Sequence, residues 1–240
     1  MKRPIAVVVG AGGAIGRAFV ARLLDDPRYA AVVAVGRRRP LDWPPSCGSV
    51  FLTADLMDET ELEGLARSIT ELGEPGLILV ATGMLHEDGL RPEKSIRALT
   101  RASLMRLFEV NAVLPALVAK HLSPLLQRNQ PAIFAAVSAR VGSIGDNALG
   151  GWHAYRASKT ALNMLIRGVA IELRRERPRA ICVALHPGTV VSPLSAPFLG
   201  SNHAALSPDE SARRMLLVLD DLDLADTGGF FAYDGTRLPW

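Results

Sequence analysis

Tyr155 and Lys159 stand four apart in the run Gly151-Trp152-His153-Ala154-Tyr155-Arg156-Ala157-Ser158-Lys159-Thr160-Ala161-Leu162-Asn163. On a helix that spacing puts both side chains on one face, with their polar ends able to converge on one ligand. A phenol titrates near about 10 in water, too high for work at neutral pH, and a fixed ammonium beside it favours the phenolate and lowers that value. The pair is thus a candidate for moving a proton to or from an oxygen. With three Tyr and four Lys in the whole chain, the spacing has few chances to arise by accident.

A second set of residues could hold a nucleotide. Gly10-Ala11-Gly12-Gly13-Ala14-Ile15-Gly16-Arg17 follows the short apolar run Ile5 to Val9 and precedes the helical run Ala18 to Leu24. Strand, glycine turn and helix in that order let a backbone approach a pyrophosphate closely and turn a helix N-terminus towards its charge. The spacing is Gly-x-x-x-Ala-x-Gly, through Gly10, Ala14 and Gly16, and Gly12, Gly13 and Ile15 share the turn. A second apolar run, Ala31 to Val35, ends in Gly36-Arg37-Arg38-Arg39. In a dinucleotide fold the residue closing the second strand meets the adenosine ribose, where an acid accepts from a 2′-hydroxyl and an Arg pairs with a 2′-phosphate. Gly36 replaces the acid and Arg37 follows, so NADP(H) is the expected cofactor over NAD(H), which stays possible.

These residues need a scaffold, and the apolar pattern supplies one. Further strands are expected at Val50 to Ala54, Leu77 to Ala81, Ala132 to Val137, Ala180 to Leu185 and Phe230 to Tyr233, alternating with helices near Asp58 to Leu72, Thr100 to Gln127 and Tyr155 to Arg175. A last helix opens at Ser207, with Ser207 as its cap and Asp209 and Glu210 in its first turn. Six or seven buried strands alternating with helices predict one α/β domain over residues 1–240: a doubly wound parallel sheet with ligands at the carboxyl ends of the strands. Arg37, Asp55, Gly83, Ser138 and Pro187 all fall just after strands and should line one edge. Pro115, inside its helix, has no N–H for the carbonyl of Asn111, which is then free to hold a water. The segment Ser192 to Ser207, rich in Ser, Pro, Ala and Leu, reads as a lid.

Composition bounds the rest. The chain is 49% hydrophobic and 21% charged over 240 residues, which excludes a disordered or collagenous protein. No apolar run approaches the length of about 18 residues that a membrane span needs. The start, Met1-Lys2-Arg3-Pro4, shows no cleavable signal pattern, and a cytoplasmic setting is expected. Cys47 and Cys182 lack metal-ligand spacing and read as reduced thiols. The net charge of +3, with arginines spread along the chain, gives no basic block for nucleic acid.

With these residues in view, the chain resembles the classical short-chain dehydrogenase/reductases over its whole length: the Gly10 to Gly16 turn, Asp55, Asn111, the Ser138 region, Tyr155-x-x-x-Lys159 and Pro187-Gly188. Within that family it is most similar to the C-factor-like group, through Glu93-Lys94-Ser95, the long Gly142 to Gly151 loop, Asp234-Gly235 and Pro239-Trp240. The resemblance implies that Tyr155 exchanges a proton with a carbonyl or alcohol oxygen while a nicotinamide exchanges hydride with carbon. It implies that Lys159 holds the nicotinamide ribose and lowers the Tyr155 pKa, and that Asn111 anchors a water in a proton relay. It places the cofactor along Gly10 to Gly16, Arg37, Asp55-Leu56, Ala81-Thr82-Gly83 and the turn Pro187, Gly188, Val190 and Ser192. Where the family has Asn-Asn-Ala-Gly after the fourth strand, this chain has Val80-Ala81-Thr82-Gly83. Where it has two serines after the fifth, this chain has Ser138-Ala139, the second ordinarily being the catalytic one.

Two residues could restore that hydroxyl. Ser138 adjoins the vacant position and is favoured if the strand end turns; Ser143 is 12 residues before Tyr155, in the longer loop. The expected function is a reductase or dehydrogenase for a small, fairly apolar carbonyl or alcohol near Leu85, Trp152, Leu194 and Phe198. The alternative is a C-factor-like signalling or regulatory protein that binds the cofactor without significant turnover. The family's habit of pairing the Thr100 and Trp152 helices implies a homodimer or homotetramer.

Overall fold

The computed structural model describes residues 3–43, 48–199 and 205–240. Seven strands form one parallel sheet in the order β3-β2-β1-β4-β5-β6-β7. They are β1 (Ile5–Val9), β2 (Val32–Gly36), β3 (Ser49–Thr53), β4 (Pro75–Val80), β5 (Ala132–Val137), β6 (Ala180–His186) and β7 (Phe230–Ala232). The helices are α1 (Ala14–Leu24), α2 (Glu59–Leu72), α3 (Arg101–Phe108), α4 (Leu114–Leu122), α5 (His153–Glu176) and α6 (Pro208–Asp221). This is the single doubly wound α/β sheet that the alternation of apolar runs predicts.

The central strands are continuous apolar runs because both of their faces are covered. Val7, Val9, Val33, Val35, Ile78, Val80, Phe134 and Ala136 point to one side, where they meet α2, α4 and α5 through Leu62, Val118 and Leu162. Their neighbours Ala6, Val8, Val32, Ala34, Leu77, Leu79, Ala135 and Val137 point to the other, against Phe19 and Leu23 of α1 and Met215 and Leu219 of α6. The period of two thus sets which face each strand-end residue inherits.

The helix boundaries depart from expectation in two places that matter for the site. First, α1 begins at Ala14, inside the glycine run, because Gly16 is packed there: a Cβ on it would lie 2.2 Å from the Gly10 carbonyl oxygen. Second, the single helix expected over Thr100 to Gln127 is broken by a π-helical turn at Glu109–Val113, and it ends in a tight turn at Ser123–Leu125. Pro115 lacks the N–H that Asn111 would receive, and the chain widens there so that the Leu114 N–H reaches Glu109. This apolar helical run is long enough to cross a membrane by length and composition, but Leu107, Val118 and Leu122 are fully buried in the domain. Asp58 and Ser207 cap α2 and α6 with their side chains. Cys182 is buried on β6, and Cys47 lies outside the described residues.

Candidate active site

The strand order reverses between β1 and β4, and their carboxyl ends open the crevice in which such sheets bind ligands. Gly10 has φ +83°, and a Cβ on it would lie 2.9 Å from the Ala81 carbonyl carbon. The turns after β1 and β4 are therefore in backbone contact. Gly12 is open, with only a Pro40 side-chain carbon within 3.9 Å of a Cβ placed there. Gly13 takes the cap position of α1 without a side-chain cap, and no acid sits in the first turn around Ala14, Ile15 and Gly16. The free N–H groups of that turn suit an anion. The Thr82 hydroxyl is buried beside this cradle with no hydrogen-bond partner among the described residues. An open glycine cradle, an uncapped helix start and an orphaned hydroxyl together fit a dinucleotide.

At the end of β2, Arg37, Arg38 and Arg39 are exposed and make no ion pair among the described residues. Arg17 is instead spent on Asp42, with both guanidinium nitrogens within 2.9 Å of its carboxylate. After β3, the exposed Asp55 accepts the Met57 N–H, while Leu56 is buried in the core against α2.

The proton-transfer pair sits on the first turns of α5. Tyr155 and Lys159 are both buried, and the Lys159 Nζ donates to the Val137 carbonyl at 3.1 Å. A Cβ at Gly83 would stand 3.5 Å from that Nζ and 3.7 Å from Asn111 Oδ1, so β4, α5 and the π turn converge at one point. The Asn111 side chain clamps Met84 from both sides, accepting its N–H and donating to its carbonyl at 2.8 Å each. Its amide also donates to Ser158 Oγ at 3.0 Å.

Burial pushes the Tyr155 phenol up to about 12 and the Lys159 ammonium down to about 8. The expectation that Lys159 lowers the Tyr155 pKa is not met in this structure. Loss of solvent opposes the charged form of each group, and it is the cause of both shifts. A phenol so placed is protonated at neutral pH and can donate.

The backbone stays extended at Ala139, with φ −148° and ψ 142°. The expected turn of Ser138 towards Tyr155 is absent, because its N–H stays in the ladder on the Leu185 carbonyl at 2.7 Å. Ser138 keeps to the α5 side and donates to Asn163 Oδ1 at 2.6 Å, while Asn163 donates to the Gly142 carbonyl. Ala139 faces the cluster of Tyr155, Leu85, Trp152 and Leu194. Ser143 is buried, and its hydroxyl accepts the Asp146 N–H at 3.1 Å. Neither serine hydroxyl is hydrogen-bonded to Tyr155.

At the end of β6, Gly188 has φ +79° and a Cβ on it would meet the Tyr233 ring at 2.9 Å. The Pro187 carbonyl accepts from Ser211 of α6, Val190 bridges Leu206, and Ser192 pairs with Ser195. The lid then crosses the site. Phe198 lies edge-on to Trp152 at 5.3 Å and to His86 at 5.5 Å, and Trp152 lies edge-on to Tyr155 at 6.2 Å. Residues 200–204 of the expected lid lie outside the described residues.

Sequence reasoning passed over Asn163 and Ser158, and took His86 as a loop histidine, more often a surface residue, that could touch substrate. Asn163 is eight residues after Tyr155 and four after Lys159, so the helical period already put it on their face. His86 gave no such signal, because the fold of two separate loops brings it to Phe198 and the Pro193 carbonyl.

The family profile described as short chain dehydrogenase matches residues 4–200. The chain is 39% identical over 139 residues to C-signal of Myxococcus xanthus, covering 58% of this chain and 80% of that protein. It is 30% identical over 234 residues to 1-hydroxy-2-glutathionyl-2-methyl-3-butene dehydrogenase of Rhodococcus sp. (strain AD45), covering 98% of each. Among solved structures, the carbonyl reductase Sniffer of D. melanogaster superposes with a TM-score of 0.86 at 25% identity over all of both chains. The NADPH-bound carbonyl reductase from chicken fatty liver does so with 0.83 at 26% identity over 99% of each. With its seven-stranded parallel sheet, its glycine cradle and its Tyr155–Lys159 pair, this chain belongs to the short-chain dehydrogenase family of nicotinamide-dependent oxidoreductases.

Proposed function

We propose that this protein is an NADP(H)-dependent carbonyl reductase or alcohol dehydrogenase for small, fairly apolar substrates, with Tyr155 as the general acid and base. The observation that carries the reading is the buried phenol of Tyr155 opening onto the apolar and aromatic side chains of Leu85, Trp152, Leu194 and Phe198. In reduction, Tyr155 gives its proton to the substrate oxygen; in oxidation it takes that proton back. The nicotinamide, when bound, supplies or accepts the hydride at carbon. Lys159 holds the nicotinamide ribose, and Asn111 fixes the Met84 turn and anchors the relay that returns a proton to Tyr155. Gly10 to Gly16 receive the pyrophosphate, Asp55 and Leu56 border the adenine end, and Ala81, Thr82 and Gly83 line the middle of the groove. Pro187, Gly188, Val190 and Ser192 form the carboxamide end. Because Ser138 is held by Asn163 and Ala139 faces the phenol, Tyr155 polarises the carbonyl without a serine partner.

The preference for NADP(H) rests on three arginines without an ion pair among the described residues, where an acid would select NAD(H), in a chain whose Arg17, Arg28, Arg106 and Arg213 are all paired. Titration of both cofactors should show tighter binding of NADPH, and Arg37→Ala should weaken NADPH while sparing NADH. Equal affinities in the unmutated protein would sink the preference.

A second reading, a cofactor-binding signalling protein, is favoured by the likeness to C-signal and by Ala139. A screen of apolar aldehydes and ketones following NADPH absorbance separates the two. Turnover of any of them supports the enzyme, and cofactor binding without turnover across the panel supports the signalling role.

A further inference from the structure

Glu93 is 5% exposed and has no cationic partner among the described residues, although a buried carboxylate without one is costly. Its contacts say what it does there. Oε1 accepts from the Ser103 hydroxyl at 2.9 Å, Oε2 accepts the Ala154 N–H at 3.2 Å, and its carbonyl accepts the Trp152 N–H at 2.5 Å. Ser103 belongs to the capping box of α3, whereas Ala154 is the second residue of α5.

The start of α5 needs such help. Its cap residue, Trp152, has no capping side chain and takes φ +49°, the left-handed region, as the only non-glycine residue described to do so. It follows Gly150 and Gly151, at φ +63° and +66°. The two glycines adopt positive φ freely, whereas for a bulky indole the conformation is strained and persists only where the surroundings enforce it. Glu93 encloses that approach: its backbone pins Trp152, and its carboxylate satisfies an orphan N–H where the helix dipole favours negative charge.

We propose that Glu93 is the N-cap of α5, supplied from outside the helix, and that it positions Tyr155 and Trp152 for the reaction. Tyr155 follows the capped Ala154 directly, and Trp152 stands edge-on to both Tyr155 and the lid residue Phe198. One residue thus sets the register of the proton donor through its carboxylate and of the substrate wall through its backbone. Glu93 touches no reacting atom and is a positioning residue. The inference rests on the reductase reading for its kinetic arm only.

The test uses Glu93→Ala, Glu93→Gln and Glu93→Asp in the full chain. The amide of Gln can still accept from Ala154 and donate to Ser103, so Glu93→Gln should keep kcat within about threefold. Glu93→Ala should bind NADPH as the unmutated protein does and lose on the order of 10²-fold in kcat, the scale of a small misplacement of a reacting group. Asp retains the charge but is one methylene too short to reach Ser103 and Ala154 together, so it should fall between them if Glu93→Ala does not fold. Amide hydrogen exchange over residues 153–159 should quicken in Ala and Asp and stay slow in Gln. A folded Ala or Asp variant with unchanged kcat and unchanged exchange overturns the proposal. So does a Gln variant that is as impaired as Ala, or a parallel fall of kcat, NADPH affinity and melting temperature, which marks a merely structural role. If the unmutated protein turns over nothing, the reductase reading fails, and the exchange measurement still decides the role of Glu93.

Discussion

At the scale of single residues, the site is defined as much by Ala139 as by Tyr155. Tyr155→Phe removes the proton donor and should lower kcat by about 10²- to 10⁴-fold, with NADPH affinity kept. Ala139→Ser should raise kcat on the order of 10-fold, less than the 10²- to 10³-fold that a fully preorganised donor contributes, because its Cβ already faces the Tyr155 cluster. An unchanged kcat in a folded Ala139→Ser variant would show that no second donor is wanted. Lys159 carries a pH signature of its own. Its folded pKa of about 8 lies below the ordinary 10.5, so between these values the unfolded chain binds a proton that the folded one has released. Stability of the cofactor-free protein therefore rises with pH across that window, and below it the full cost of burying the ammonium is present. Lys159→Met should be the more stable protein at pH 7, with an advantage that shrinks towards pH 10. Denaturant midpoints at several pH values check this, and a constant advantage contradicts it.

The glycine turn shows what an element contributes beyond its residues. Gly16 and Gly12 look alike in sequence and differ in space. A Cβ on Gly16 would overlap the Gly10 carbonyl at 2.2 Å, and one on Gly12 would meet only Pro40 at 3.9 Å. Gly16→Ala should then cost about 1–3 kcal/mol in folding stability through overpacking of backbone. Gly12→Ala should leave the melting temperature unchanged and weaken NADPH, since its methyl occupies the open side of the cradle. Thermal melts paired with cofactor titration separate these effects, and a Gly12→Ala variant that binds NADPH normally places the pyrophosphate elsewhere. The π turn works in the same way: Pro115 forces the widening, and the widening carries Asn111 to Met84 and Ser158.

For the whole molecule, the question left by a single chain is its outer helical face. Met105, Val113, Met164 and Ile171 are 59%, 42%, 73% and 47% exposed on α3, the π turn and α5. Two-fold pairing of this face, the assembly that the family resemblance implies, would bury them in an isologous contact. Light scattering at micromolar concentration should give a dimer or tetramer, and Met164→Asp should reduce the mass. A monomer for the unmutated chain would count against the pairing.

The sequence by itself determined the architecture, because strands buried on both faces must be continuous apolar runs and glycine must stand where backbones touch. It also determined the Tyr155–Lys159 pair, whose spacing is a property of the helix alone. What it left open was decided by tertiary structure. Whether Ser138 faces Tyr155 depended on how the chain leaves β5: the ladder holds the Ser138 N–H, Asn163 takes its hydroxyl, and Ala139 packs on the Tyr155 cluster. The sign of the Tyr155 shift depended on how much water the fold leaves around the phenol, and that is not written in a four-residue spacing. Glu93 lies 61 residues before Ala154 and joins it only when α3 and α5 pack together. Local periodicity fixes which residues share an element's face, and long-range packing alone fixes which faces meet.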